Sequence, residues 1–309
     1  MNILPLKIKR VLAVTSLTIF ILTSGLSQQR GDNSFNPEIK NPLYPYGTGP
    51  MIYIDEAHNN FHTMEGRFKA FATVLENDGY RMAMSKANLS KGSLDNIDFL
   101  VISNAIHKDN LQEWSLPTPS AFEETEIESL NEWVREGGAL FLIADHMPFP
   151  GAASDLAASF GFKFYNGFAI KKKKTKDLFT IENGGLVESK LTKAREIDDN
   201  VTSIQSFTGQ CFEAPSSATP ILVFNNQYEN LMPRTAWKFD EDTHRMSAEG
   251  LLQGAYLEYG KGRLVVFGEA AMFTAQMSGG RKFGLSAPNA SQNVQLLLNI
   301  LHWLDRTID

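Results

Sequence analysis

Four groups of polar and titratable side chains in this chain each stand directly after a short apolar run. They are Asp55-Glu56-Ala57-His58 with His62 after residues 51–54, Asn104 and His107 after 97–103, Asp145-His146 after 139–144, and Glu269 after 263–267. Carboxylates beside imidazoles are the residue types of general acid–base chemistry, with Asp145 or Glu269 as base and His146 as proton donor or ligand. His58 and His62, four apart, face the same side if a helix begins at His58. With Asp145 or Asp55 they would suit a divalent metal that keeps one position open for water. Asp55, Glu56, Asn104 and His107 are the candidates for holding substrate. A metal-free carboxylate–histidine pair, or a pocket without chemistry, answers to the same residues. The zinc-protease pattern H-E-x-x-H is excluded because Glu56 precedes His58. No G-x-S-x-G elbow, P-loop or dinucleotide glycine pattern occurs.

Such scattered groups meet only if the strands before them are parallel neighbours, since their carboxyl ends then share one edge of a sheet. The chain reads that way. Apolar strand runs at 51–54, 80–84, 97–103 and 139–144 alternate with helix-periodic segments at 64–77, where Phe68, Phe71, Ala72 and Leu75 recur, and at 121–136, where Phe122, Ile127, Leu130 and Trp133 do. The second helix stops at Gly137-Gly138, and residues 139–144 have the continuous apolarity of a strand buried on both faces. A helix over 152–160 and a weak strand over 162–165 follow. From about 166 to 240 helical period disappears and short β-like runs, 220–224 and 235–239 among them, predict an antiparallel excursion. Residues 251–259 and 263–267 predict a hairpin, and Val294, Leu297, Leu298, Leu301 and Leu304 line one face of a last helix.

At 309 residues with 43% hydrophobic and 21% charged, the chain has ample material for a packed core. A net charge of −6 argues against nucleic acid as a partner. Lys171 to Lys174 read as a solvated hairpin tip, His244 as solvated and His302 as a packing residue. Lys7, Lys9 and Arg10, an apolar stretch over 11–22 and the small residues 24–27 predict a cleaved signal peptide over residues 1–27, hence a secreted or periplasmic protein. No cysteine follows for a lipid anchor, and no stable membrane span remains after cleavage; the alternative is that the apolar stretch stays as an uncleaved anchor. Cleavage removes three positive charges and no negative one, taking −6 to about −9. Residues 28–50 are an extended, Pro- and Asn-rich lead-in. Cys211, the sole cysteine, excludes an intrachain disulfide and reads as a small buried hydrophobe.

Three stretches together, YIDEAHNNF, SLNEWVREGGALFLIADH and YGKGRLVVFGEAAMF followed by NVQLLLNILHWL, resemble the class I glutamine amidotransferase-like group. The likeness is to its exported branch, which includes ThuA-like proteins and domains related to gliding and intraflagellar-transport components. The resemblance implies a flavodoxin-like α/β fold, a parallel sheet flanked by helices, with residues 51–309 as one domain carrying the β-rich insertion at about 166–240. In amidotransferases the strand after the Gly-Gly pair ends in a nucleophilic Cys, whereas here Asp145-His146 stand in that place, so glutamine hydrolysis is not implied. The expectation is an exported hydrolase-like enzyme for a small or carbohydrate substrate at the carboxyl edge of the sheet. The alternative is a noncatalytic carbohydrate- or partner-binding module of the cell envelope.

Overall fold

Five-residue apolar runs are long enough for a strand and too short for a helix, and they build the centre of the molecule. The computed structural model describes residues 30–193 and 199–308. The expected leader over residues 1–27 lies outside them, and no helix among the described residues is long and apolar enough to cross a membrane. The first half alternates β1 (Met51–Asp55), α1 (Lys69–Asn77), β2 (Arg81–Ser85), β3 (Phe99–Ser103), α2 (Glu124–Glu136) and β4 (Ala139–Ile143). The second half adds β5 (Lys163–Phe164), β6 (Phe212–Glu213), β7 (Thr219–Val223), β8 (Leu252–Tyr259), β9 (Gly262–Phe267) and α3 (Asn293–Leu304).

These strands form one mixed sheet in the order β2-β1-β3-β4-β9-β8-β6-β5, with β7 paired to β8 beside that path. The run β2-β1-β3-β4-β9 is parallel throughout and has the flavodoxin-like order. The strands beyond it are antiparallel. Side chains alternate between two cores because strand period is two. Phe141 and Ile143 of β4 join Phe71, Leu297, Leu301 and Trp303 on the face covered by α1 and α3. Leu140 and Leu142 join Leu130, Val134 and Leu156 on the face covered by α2. Each such Leu or Phe contributes roughly 1.5–3 kcal/mol by leaving water, so β4, buried at every position, cannot slip by one residue.

Helix α2 begins where Glu126 Oε2 accepts from the Glu123 N–H at 3.0 Å and ends where Gly137 takes φ 138°. Helix α1 starts at Lys69, later than the apolar period suggests, because turns bonded to the Thr63 carbonyl by the Gly66 and Phe68 amides occupy the preceding residues. The expected helix over 152–160 is two short helices, Phe149–Ala152 and Ser154–Ser159, interrupted at Ala153. The excursion holds two small antiparallel sheets. One joins Phe168–Lys171, Tyr228–Met232 and His244–Ser247, and the other joins Asp177–Thr180 and Ser203–Ser206. Lys171 to Lys174 therefore link strands of different sheets and are not a hairpin tip. Residues 235–239, expected as a strand, are not one, since Trp237 sits at φ 65° and breaks the pleat. His244 is exposed, whereas His302 is buried with its Nε2 2.6 Å from Asp78 Oδ2. Cys211 is buried, and burial pushes its thiol up to about 12.

The β8–β9 turn lies hard against α2. A Cβ at Gly262 would stand 1.9 Å from the Val134 carbonyl oxygen and 2.5 Å from that of Gly138, both backbone atoms with no room to retreat. Gly262→Ala is therefore expected to cost about 1–3 kcal/mol, seen as a lower urea midpoint with an unchanged slope. An unaltered midpoint would show that this contact does not hold the hairpin.

Candidate functional site

The register puts three strand ends side by side. Ser103 and Phe267 both pair with Ile143, so Asn104, Ala144-Asp145 and Gly268-Glu269 leave the sheet together. Asn104 accepts the left-handed φ of 50° that this exit needs, a conformation Asn tolerates better than most residues. Its Oδ1 takes the Asp145 N–H at 2.8 Å and so aims that residue. The Asp145 carboxylate accepts from the His146 N–H at 2.7 Å. His146 Nδ1 lies 2.8 Å from the Met147 carbonyl, which can only accept, so Nδ1 carries a proton and Nε2 is the nitrogen left for exchange.

Above these ends opens a cleft of about 340 Å³, a volume suited to a small ligand. His62, Asn104, Asp145 and His146 line it with Arg67, Phe61, Phe149 and Trp237, and with Asp177 and Gln205 from the excursion. His146 stacks on Phe168 at 4.7 Å, and Trp237, 54% exposed, stands edge-on to His146 at 4.7 Å. His62 stacks on Phe68 at 4.8 Å, its Nδ1 3.1 Å from Ser103 Oγ. Burial first, then Arg67 and His146, drive its pKa down to about 3, so this ring is neutral. Arg67 lies over the Phe61 ring at 4.3 Å and donates to Gln276 Oε1 at 3.1 Å.

Other candidates do not come to this cleft. His58 and His62 do not share a face, because residues 58–62 are not helical and Asn59 turns the chain at φ 50°. His58 packs against Phe122, its Nδ1 2.8 Å from Asp55 Oδ2 and its Nε2 3.3 Å from Glu126 Oε1. Both ring nitrogens thus donate to carboxylates, which takes His58 and Asp55 out of the expected metal and substrate sets. Among the described residues no group of three or more His, Cys, Asp or Glu side chains is placed to hold a metal ion. Glu56 accepts the Met64 N–H at 2.9 Å, and His107 accepts the Asp109 N–H at 3.3 Å, so both brace their own loops away from the cleft lining.

Glu269 is also withdrawn. It is fully buried, and its two oxygens accept the Ala271 and Met272 N–H groups at 2.6 and 2.8 Å, holding the short 3₁₀ turn Ala271–Phe273. Burial, and next the charge of Asp145, push its carboxyl well above the usual range, which the two amide donors only partly oppose. Gly209 permits the approach, since at φ 83° a Cβ there would fall 2.2 Å from the Gly268 carbonyl and 2.7 Å from Glu269 Cβ. A base must reach substrate, and Glu269 does not line the cleft.

Glu126, Arg67, Asp177, Gln205 and Trp237 escaped the sequence reading. Glu126 sits three residues after Glu123 in a capping position, a visible signal of a helix start. It also accepts from the Leu89 N–H at 3.0 Å and meets His58, which no local pattern shows.

No family model matches the chain, and no curated protein matches it. Among solved structures, the N-terminal domain of mmIFT52 superposes with a TM-score of 0.58 at 13% identity, covering 82% of this chain and 96% of that one. The likeness is one of fold. A ThuA-like protein from Bacteroides uniformis superposes with a TM-score of 0.45 at 11% identity over 87% of this chain and 94% of its own. A cytoplasmic protein from Salmonella typhimurium, STM3548, gives 0.49 at 14% identity over 82% and 98%. ThuA-like proteins are thus among the structural neighbours, at identities that speak only to architecture.

Two stability outcomes follow from these placements. Burial, the largest influence on His58, opposes its charge, yet Asp55 and Glu126 outweigh it and raise the pKa. A raised histidine pKa stabilises the fold below the ordinary histidine range and loses that contribution as pH rises through the raised value. His58→Gln should therefore cost on the order of 3 kcal/mol near pH 6. Its denaturant midpoint should also fall less than the wild type's between about pH 6 and about pH 9. Parallel curves would show that the imidazolium does not stabilise the fold. Glu269→Ala, which strands the buried Met272 amide and the part-buried Ala271 amide, should cost about 2–4 kcal/mol by urea titration, and a loss under about 0.5 kcal/mol would deny Glu269 its capping role.

Proposed function

We propose that the cleft binds a small polyhydroxylated ligand, a carbohydrate before others, and that Asp145 and His146 make the protein a hydrolase-like enzyme acting on it. The observation that carries this reading is the pairing of the Asp145 carboxylate and the His146 imidazole with the exposed Trp237 indole on one cleft wall. A sugar ring offers apolar C–H faces to an aromatic surface and hydroxyls to carboxylates and imidazoles at its edge, so both halves of this lining find a counterpart. Asp145 is the group to accept a proton, and His146 can relay one through Nε2. Export belongs to the same proposal and rests on the basic, apolar and small-residue succession of residues 1–27.

A second reading, the noncatalytic binding module, is favoured by one specific observation. Glu269, the other candidate base, is withdrawn into the interior, so Asp145 is the only one of the two expected bases that lines the cleft. One pair of variants separates the two. Titration of simple sugars followed by tryptophan fluorescence should saturate, and Trp237→Ala should weaken binding by about tenfold. Asp145→Asn retains an acceptor for the His146 amide, so affinity should stay within about threefold while cleavage of nitrophenyl glycosides drops by roughly 10² or more. Turnover that survives Asp145→Asn removes the enzyme reading, and the absence of any saturable sugar response removes the carbohydrate reading.

A further inference from the structure

Buried polar atoms in a folded chain nearly always have a hydrogen-bond partner, so an acceptor left alone in the wall of a cleft asks what it is for. Gln205 is such a case. Its backbone is fully engaged with Asn293, donating to Oδ1 at 3.1 Å and accepting from Nδ2 at 2.8 Å. Gln205 borders the cleft at 9% exposure, yet its Oε1 is buried and meets no donor among the described residues. The Asp177 carboxyl, on the strand paired with that of Gln205, has Tyr228 and the Thr208 amide as hydrogen-bond neighbours, while its Oδ1 is buried with no donor at bonding distance and angle. Burial pushes the Asp177 carboxyl up to about 6, partly offset by Lys171, Tyr228 and the Thr208 amide.

Neighbouring polar groups in the same wall are spoken for. Ser206 Oγ donates to Gln253 Oε1 at 2.6 Å. Gln276 donates to Thr274 Oγ1 at 2.6 Å and accepts from Arg67 at 3.1 Å. The two lone acceptors therefore do not reflect a generally loose wall. They come from the excursion, whereas Asn104, Asp145 and His146 come from the sheet, so the cleft is closed by two parts of the chain.

We infer that Gln205 and Asp177 are the specificity-determining residues of this cleft, and that their unpartnered oxygens accept hydrogen bonds from two hydroxyl groups of the bound ligand. The inference rests on the reading of the cleft as a polyol site and narrows it. The ligand must bring at least two hydroxyl donors to the excursion side while its ring lies toward Trp237. A site built around a substrate hydroxyl discriminates strongly against the analogue that lacks it, because its own acceptor is then left bare.

The test has one arm without ligand and one with it. Gln205→Met keeps length and volume and removes the stranded oxygen, so the ligand-free protein should melt higher, by about 2 °C or more. A lower melting temperature would mark Gln205 as a structural residue and overturn the assignment. In the second arm D-glucose, D-galactose, D-mannose and their monodeoxy derivatives are titrated against wild type, Gln205→Met and Asp177→Asn by tryptophan fluorescence. Each variant should bind the favoured sugar about tenfold more weakly, and one monodeoxy sugar should bind wild type and Gln205→Met equally. Equal affinity of wild type and both variants for an intact sugar overturns the role of the pair and leaves the polyol reading standing. No saturable response from wild type to any intact sugar overturns the polyol reading, and this inference with it.

Discussion

A parallel sheet covered on both faces leaves its strand ends with a debt of hydrogen bonds, because the ladder stops while the chain is still beneath protein. At the carboxyl edge of β4 that need is met by side chains. Asn104 Oδ1 takes the Asp145 amide, Gln210 Nε2 donates to the Ala144 carbonyl at 3.3 Å, and the Gln210 amide donates to Gly268 at 2.7 Å. Glu269 holds the next two amides. Each is the replacement for a lost backbone bond, and an unsatisfied buried group costs more than the bond itself would contribute. The edge is polar for structural reasons before it is polar for any ligand.

That constraint sorts the titratable residues. Those whose atoms complete the backbone, Glu269, Glu56 and His107, are committed and have little left to offer chemistry. Asp55, His58 and Glu126 form a second closed unit on the α2 side of the sheet, an imidazole between two carboxylates that ties the β1 loop to the start of α2 and to Leu89. Glu126 is held below the ordinary range: burial works against that, and the Glu123 and Leu89 amides with His58 prevail. Asp145 and His146 also bond backbone, the His146 amide and the Met147 carbonyl, but they differ in lining the cleft. Position at a strand's carboxyl end is thus not sufficient to make a site residue.

The same distinction explains what could be read from the residues. Strands β1, β3 and β4, helices α2 and α3 and the β8–β9 hairpin were legible because apolar runs of five or so, helical period and Gly-containing turns are local signals that burial enforces. Parallel neighbours could be inferred from the alternation of strand and helix, and the flavodoxin-like order followed from resemblance. What a strand end does with its polar residue was not legible. Whether Glu269 faces solvent or two amides depends on the turn at Ala271–Phe273 and on the close approach of Gly209, a residue 60 positions away. The i, i+4 spacing of His58 and His62 suggested one face, yet Asn59 at φ 50° sends the imidazoles to opposite sides of the loop's anchoring network.

The excursion is where local pattern reading stopped and where the cleft acquires its outer wall. Trp237 lies in a run that alternates aromatic and polar residues as a strand would, and its positive φ turns it onto His146 and Phe168 instead. A bulky residue in that region of backbone space is strained, and it persists only where its surroundings hold it. Here the Ala236 amide donates to the Trp114 carbonyl and the Leu116 amide to that of Arg234, pinning the chain just before the indole. Trp114 in turn stands 5.4 Å from Phe61 and 5.2 Å from Phe149, two rings of the cleft. The strained tryptophan and the sheet-edge aromatics therefore form one packed wall. The selectivity of that wall has to be sought in the inserted segment, since the sheet supplies the floor and the fold alone names no ligand.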